Sequence, residues 1–179
     1  LSVAVSQPGF GESTGVPDFC GPRTQQAVID AIRHFQAIAE VDSQRIFMYG
    51  GSRGAVVAAM VAASGISLRG VVLKSGVYDF VDWAQSRPPN DSIRLTMERE
   101  IGALSEEKLR GRSAYYFADK ITAPFLIIHG TRDDRAPLSG AEKFADKINA
   151  QGGSAELIKF DSEHAIPMVQ ISDVMEKLL

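Results

Sequence analysis

Residues 50 to 54 read Gly50-Gly51-Ser52-Arg53-Gly54, a G-x-S-x-G run in which a serine can become a nucleophile. The run follows a short apolar stretch, residues 45–49, and precedes an Ala/Val-rich stretch, residues 55–63. Strand, sharp turn and helix is the context that lifts a serine hydroxyl above a sheet. Gly50 and Gly54 are expected as glycines because a Cβ at either position would crowd the turn. A neutral hydroxyl needs a base, and the base needs a group to orient it. Two later clusters carry the types required: His129-Gly130-Thr131-Arg132-Asp133-Asp134 after the apolar run 123–128, and Asp161-Ser162-Glu163-His164 after residues 156–160. Such a set supports acyl transfer. Ser52 would attack a carbonyl, His164 would carry the proton, and Asp133 or Asp134 would hold the imidazole.

These residues lie far apart in the chain, so a fold must gather them. Each cluster sits just past the C-terminal end of an expected strand, the edge at which open parallel sheets build their sites. The gap between Ser52 and the aspartates holds two or three βα units, and one more unit leads to His164. The remaining segments alternate in the same way. Val28, Ile32, Phe35 and Ile38 make an apolar stripe on an expected helix over 24–40. Residues 70–74 form an apolar strand, and Leu138, Ala141, Phe144, Ala145 and Ile148 mark a second amphipathic helix that stops at Gly152-Gly153. Residues 166–179 read as a final helix. The fold class expected is α/β, a mostly parallel sheet with helices on both faces.

The stretches Tyr49-Gly-Gly-Ser-Arg-Gly-Ala55 and Ile128-His-Gly-Thr-Arg-Asp-Asp-Arg-Ala-Pro137, with the pair Glu163-His164, resemble the catalytic domain of the prolyl oligopeptidase family. That family is a branch of the α/β-hydrolase superfamily, whose triads run in the order serine, aspartate, histidine. Upstream, Gln7-Pro-Gly-Phe-Gly-Glu-Ser-Thr-Gly15 is similar to the family's loop after the fourth strand, with Gln7-Pro8 standing where the family usually has an arginine. The resemblance implies a serine hydrolase of ester or peptide bonds with catalytic Ser52, Asp133 and His164, and no cofactor or metal. It assigns the acid to Asp133 over Asp134. One oxyanion donor would be the backbone N–H of Arg53, and each such donor lowers the barrier by roughly 3–4 kcal/mol.

The resemblance also bears on organisation. Residues 1–5 read as the family's fourth strand, and the third strand, which carries the second oxyanion donor, would lie upstream. The expectation is a single α/β-hydrolase domain over 1–179, N-terminally incomplete, with a small helical cap insertion at 81–120. Gly51, Trp83 and Tyr116 are candidates to line a substrate pocket, although the aromatics of the insertion would serve equally to pack it onto the domain. The side chain of Arg53 reads either as solvated or as an anchor for a substrate carboxylate. Glu98, Glu100, Glu106 and Glu107 mingle with basic residues as on a solvated helix face.

Composition narrows the classes. With 45% apolar and 23% charged residues, the chain can build a sizeable core. A net charge of −3 gives no basic surface for nucleic acid or an anionic membrane. The single Cys20 excludes an internal disulfide and leans towards a reducing, cytoplasmic compartment. A small-molecule ester or a peptide is the expected partner, with a homo-oligomer or an additional upstream segment left open. Two alternatives stand beside the hydrolase: a non-catalytic hydrolase-like binding module, and an inactive fragment of a longer enzyme.

Overall fold

The structure is a computed structural model describing residues 1–167, 169, 171 and 172. Among the described residues the element order is α1 (Pro22–Gln36), β1 (Phe47–Gly51), α2 (Arg53–Ala62), β2 (Gly70–Lys74), α3 (Phe80–Ser86), α4 (Ser92–Ile101), α5 (Glu106–Arg110), a 3-10 segment (Ala114–Lys120), β3 (Phe125–Gly130), α6 (Leu138–Ala150) and β4 (Ala155–Phe160). The four strands form one sheet in the order β1-β2-β3-β4, every pair parallel. The fold class is therefore α/β, as its alternating pattern implied.

One face of the sheet carries the main core. Val71 and Leu73 of β2 and Phe125 and Ile127 of β3 pack against Ala55, Ala58, Ala59 and Ala62 of α2 and against Ala141, Phe144 and Ile148 of α6. The small alanines let α2 lie close to the strands, which is why this helix is apolar almost all round. Its outer side takes Val28 and Ile29 of α1 and Phe80, Trp83, Met97 and Leu109 from the helices of the 80–110 region. The opposite face presents Val72, Leu126 and Ile128, covered by Ile166 and Ile171.

Two expectations change. Residues 1–5 form no strand, and Leu1, Val3 and Val5 are exposed. A strand exists through its ladder of hydrogen bonds, and among the described residues none pairs with this segment or with the outer edge of β1. That edge strand leaves Phe47 and Tyr49 at 37% and 43% exposure. Helix α1 begins earlier and ends earlier than 24–40, because Pro22 is preorganised for a first turn and the chain turns after Gln36. The helix expected over 166–179 lies mostly outside the described residues.

Candidate active site

Ser52 occupies the turn between β1 and α2 with φ +51° and ψ −116°, a conformation costing about 1–3 kcal/mol. Gly50 makes the turn possible. A Cβ there would collide with the backbone of Gly54 and Ala55. Gly54 differs from expectation, since a Cβ on it would meet nothing within 4 Å. The turn is pinned from β2, whose Lys74 carbonyl accepts the Ser52 N–H at 2.7 Å. Ser52 stands at the N-cap of α2, where a serine hydroxyl ordinarily accepts a backbone N–H. Here it makes no such bond. The exposed hydroxyl instead lies 2.8 Å from His164 Nε2.

His164 lies on the loop after β4, and a glycine brings that loop inward. A Cβ on Gly130, the last residue of β3, would strike the carbonyls of Ser162 and Glu163. Main-chain bonds tie the two loops together: Thr131 N–H to Phe160 O at 2.8 Å and Arg132 N–H to Ser162 O at 3.0 Å. Just past β2, the buried Ser75 hydroxyl donates to the His164 carbonyl at 3.0 Å. The imidazole then spans two partners. Its Nδ1–H donates to Asp133 Oδ2 at 2.8 Å, with Oδ1 at 3.0 Å. In the neutral ring, the tautomer that makes this bond turns the Nε2 lone pair towards the Ser52 hydroxyl.

The Asp133 side chain is fully buried, a costly place for a carboxylate unless its lone pairs are filled. They are. Oδ1 also accepts the N–H groups of Arg135 at 3.0 Å and Ala136 at 2.9 Å. Burial pushes the carboxyl up, but the hydrogen bonds from His164 and Ala136 outweigh it and hold the group below its ordinary range. Asp134 is exposed, and its carbonyl accepts the Arg87 guanidinium. Geometry thus brings Asp133 to the imidazole and leaves Asp134 in solvent.

His129 supports this loop from within β3. Its Nε2–H donates to Ala136 O at 2.7 Å and lies 3.4 Å from Asp133 Oδ2. Burial lowers its pKa, so the ring is held neutral. A second support comes from Trp83, whose indole N–H donates to Arg135 O at 2.9 Å. At 4% exposure Trp83 packs edge-on against Phe80, and through this bond it braces the acid loop. Tyr116 donates to Asp79 at 3.3 Å and lies under the Arg110 guanidinium. Gly51, at the end of β1, adjoins Ser52, and a Cβ there would touch only Lys74 and Tyr49 side chains.

The first N–H groups of a helix have no intrahelical partner, and that of Arg53, first residue of α2, directly follows Ser52. The Arg53 side chain is half-buried and paired within the protein. It makes a bidentate pair with Glu100, both bonds 2.8 Å, at side-chain exposures of 31% and 11%. Neither residue stood out for this pairing in the sequence, where they sit on different elements.

Comparison with known proteins adds the family. The model of the prolyl oligopeptidase family matches residues 20–177. The chain is 26% identical over 148 residues to the uncharacterized peptidase YuxL of Bacillus subtilis, covering 75% of this chain and 20% of that protein. It is 24% identical to acylamino-acid-releasing enzyme 2 of Oryza sativa subsp. japonica, covering 91% of this chain and 23% of the rice protein. Among solved structures, puromycin hydrolase superposes with a TM-score of 0.76 at 21% identity, over 84% of this chain and 23% of the other. The acylaminoacyl peptidase of Pyrococcus horikoshii gives 0.67 at 21% identity, over 80% and 24%. The chain thus spans about a quarter or less of these four proteins. Among the described residues no helix is long and apolar enough to cross a membrane.

Proposed function

Because the chain belongs to the prolyl oligopeptidase family, we propose that it supplies the catalytic centre of a serine hydrolase in which Ser52, His164 and Asp133 act as a triad. The observation that carries this reading is the continuous path from Ser52 Oγ through His164 to Asp133, with both imidazole links at 2.8 Å. As Ser52 attacks a carbonyl carbon, its proton passes to His164 Nε2, and the buried Asp133 stabilises the imidazolium. The tetrahedral oxyanion takes the Arg53 N–H. Collapse of the intermediate breaks the bond to the leaving group, which receives the proton from His164. Water then repeats the sequence on the acyl-enzyme.

The substrate class is an ester or a peptide. The peptidase name of the relative YuxL supports a peptide. On this reading residues 81–120 cap the site, since this segment reaches both the elbow, through Glu100, and the acid loop, through Trp83. Turnover of aminoacyl-anilides compared with short p-nitrophenyl esters tests the substrate assignment. Cleavage of the anilides is expected, abolished by Ser52→Ala; turnover of the esters alone would make the protein an esterase.

A further inference from the structure

We propose that Glu100 is a positioning residue for the Ser52 elbow, acting through the guanidinium of Arg53; the proposal rests on the hydrolase reading above and extends it to α4. Arg53 directly follows Ser52, and its N–H is the donor assigned to the oxyanion. Its side chain is held from several directions. Nη1 donates to Glu100 Oε1 and Nη2 to Glu100 Oε2, each at 2.8 Å. The guanidinium lies 4.4 Å above the Phe19 ring and 5.2 Å from the Phe10 ring. Glu100 Oε2 also accepts the Phe19 N–H at 2.8 Å, and the Cys20 thiol donates to the Arg53 carbonyl at 3.4 Å. The carboxylate is therefore filled by protein donors and joins three segments: the elbow, the turn at 18–20 and the end of α4.

That turn is held in its turn. Phe19 and Cys20 have φ of +44° and +62°, a region that side chains other than glycine rarely adopt. Arg112 fixes them, donating to Phe19 O at 2.9 Å and Asp18 O at 2.7 Å. A serine at φ +51° persists only where its surroundings over-determine it. Gly50 and Lys74 hold the strand side of the turn. On the helix side, the tether of Arg53 to Glu100 performs the same task. A bidentate guanidinium–carboxylate pair fixes orientation as well as distance, which a lysine could not do. Elsewhere on the same helix Glu98 only reaches Arg94 at 3.3 Å along the helix surface, and it provides the control.

The test is made in the intact protein with Glu100→Gln, Arg53→Lys, the double variant Arg53→Met/Glu100→Leu, and Glu98→Gln. Two readouts are used: steady-state kinetics on an ester or anilide, and hydrogen–deuterium exchange of the peptide covering residues 50–56. Glu100→Gln and Arg53→Lys are each expected to lower kcat about tenfold with KM within about twofold. Exchange at the elbow should speed by about tenfold in both. The double variant should lose no more than either single one, because the pair acts as a unit. Glu98→Gln should match the parent. Unchanged kcat with a lowered Tm would make the pair purely structural and overturn the proposal, as would unchanged exchange at the elbow. A raised kcat would also overturn it, since the freed Arg53 charge would then be aiding the reaction. If the parent itself turned over nothing, the hydrolase reading would fall, while exchange and the double variant would still decide whether Glu100 holds the elbow.

Discussion

The hydroxyl of Ser75, the residue after β2, donates to the main-chain carbonyl of His164 at 3.0 Å. The bond joins the strand next to the elbow to the loop carrying the imidazole, and Ser75 takes φ +53° to make it. Its own N–H is spent on Ile128 O at 3.0 Å, so the side chain is free for this one task. Ser75→Ala leaves a shielded carbonyl short of a donor, a loss of about 1 kcal/mol in stability. Turnover is expected to fall by roughly tenfold as the imidazole loses its placement. Urea unfolding and kcat on the same preparation check both numbers.

The two adjacent aspartates separate cleanly. In Asp133→Asn the amide oxygen can still accept the Arg135 and Ala136 N–H groups, but the group facing His164 Nδ1 no longer fixes the productive tautomer. Acylation is expected to slow by about 10⁴-fold with the fold retained. Asp134→Asn, in solvent, should leave the rate within about twofold. Burst kinetics with a p-nitrophenyl ester measure both.

Stability should fall in two steps as pH is lowered. His129 has its pKa lowered from 6.5, chiefly by burial. Asp133 has its pKa lowered from 3.8, the hydrogen bonds from His164 and Ala136 outweighing the upward push of burial. Both groups bind a proton more readily in the unfolded chain, so stability rises with pH through each window. The part linked to His129 is full above its unfolded value of 6.5 and drains away as pH falls towards its folded value. The part linked to Asp133 is full above 3.8 and is lost below it. Urea midpoints taken from neutral pH downward should show both descents, and His129→Gln should flatten only the first.

The glycines of the elbow should behave differently. Gly50→Ala places a methyl against the Gly54 and Ala55 backbone, and is expected to destabilise by about 2–3 kcal/mol and abolish activity. Gly54→Ala meets open space in the first turn of α2. It is expected to be neutral or to stabilise by about 0.5–1 kcal/mol through helix propensity. Thermal unfolding of the two variants checks the difference.

Much of this arrangement was legible in the chain. Strand, turn and helix around Ser52 followed from composition that changes character on either side of two glycines. The parallel sheet followed from alternation of apolar runs with amphipathic stretches. Strand boundaries were less so. The run beginning at Ala123 is a strand only from Phe125; Pro124 has no N–H to give and joins through its carbonyl alone, which accepts the Val71 N–H. Residues 1–5 have the composition of a strand, but strandness is a property of pairs. Aromatic type did not reveal direction, and no local pattern announced that the Trp83 indole N–H reaches Arg135 O. Glu100 looked like part of a solvated face because its partner lies 47 positions earlier, on another helix. Pairings at that range are set by how α4 packs, and no local pattern encodes them.

The central claim is that Ser52 is an activated nucleophile. A fluorophosphonate probe, applied to the protein and to Ser52→Ala and read by peptide mass spectrometry, tests it most directly. The account predicts a phosphonyl adduct on Ser52 alone, formed at a rate that falls when His164 is replaced by alanine, and no adduct in Ser52→Ala. A folded protein that leaves Ser52 unlabelled would contradict it.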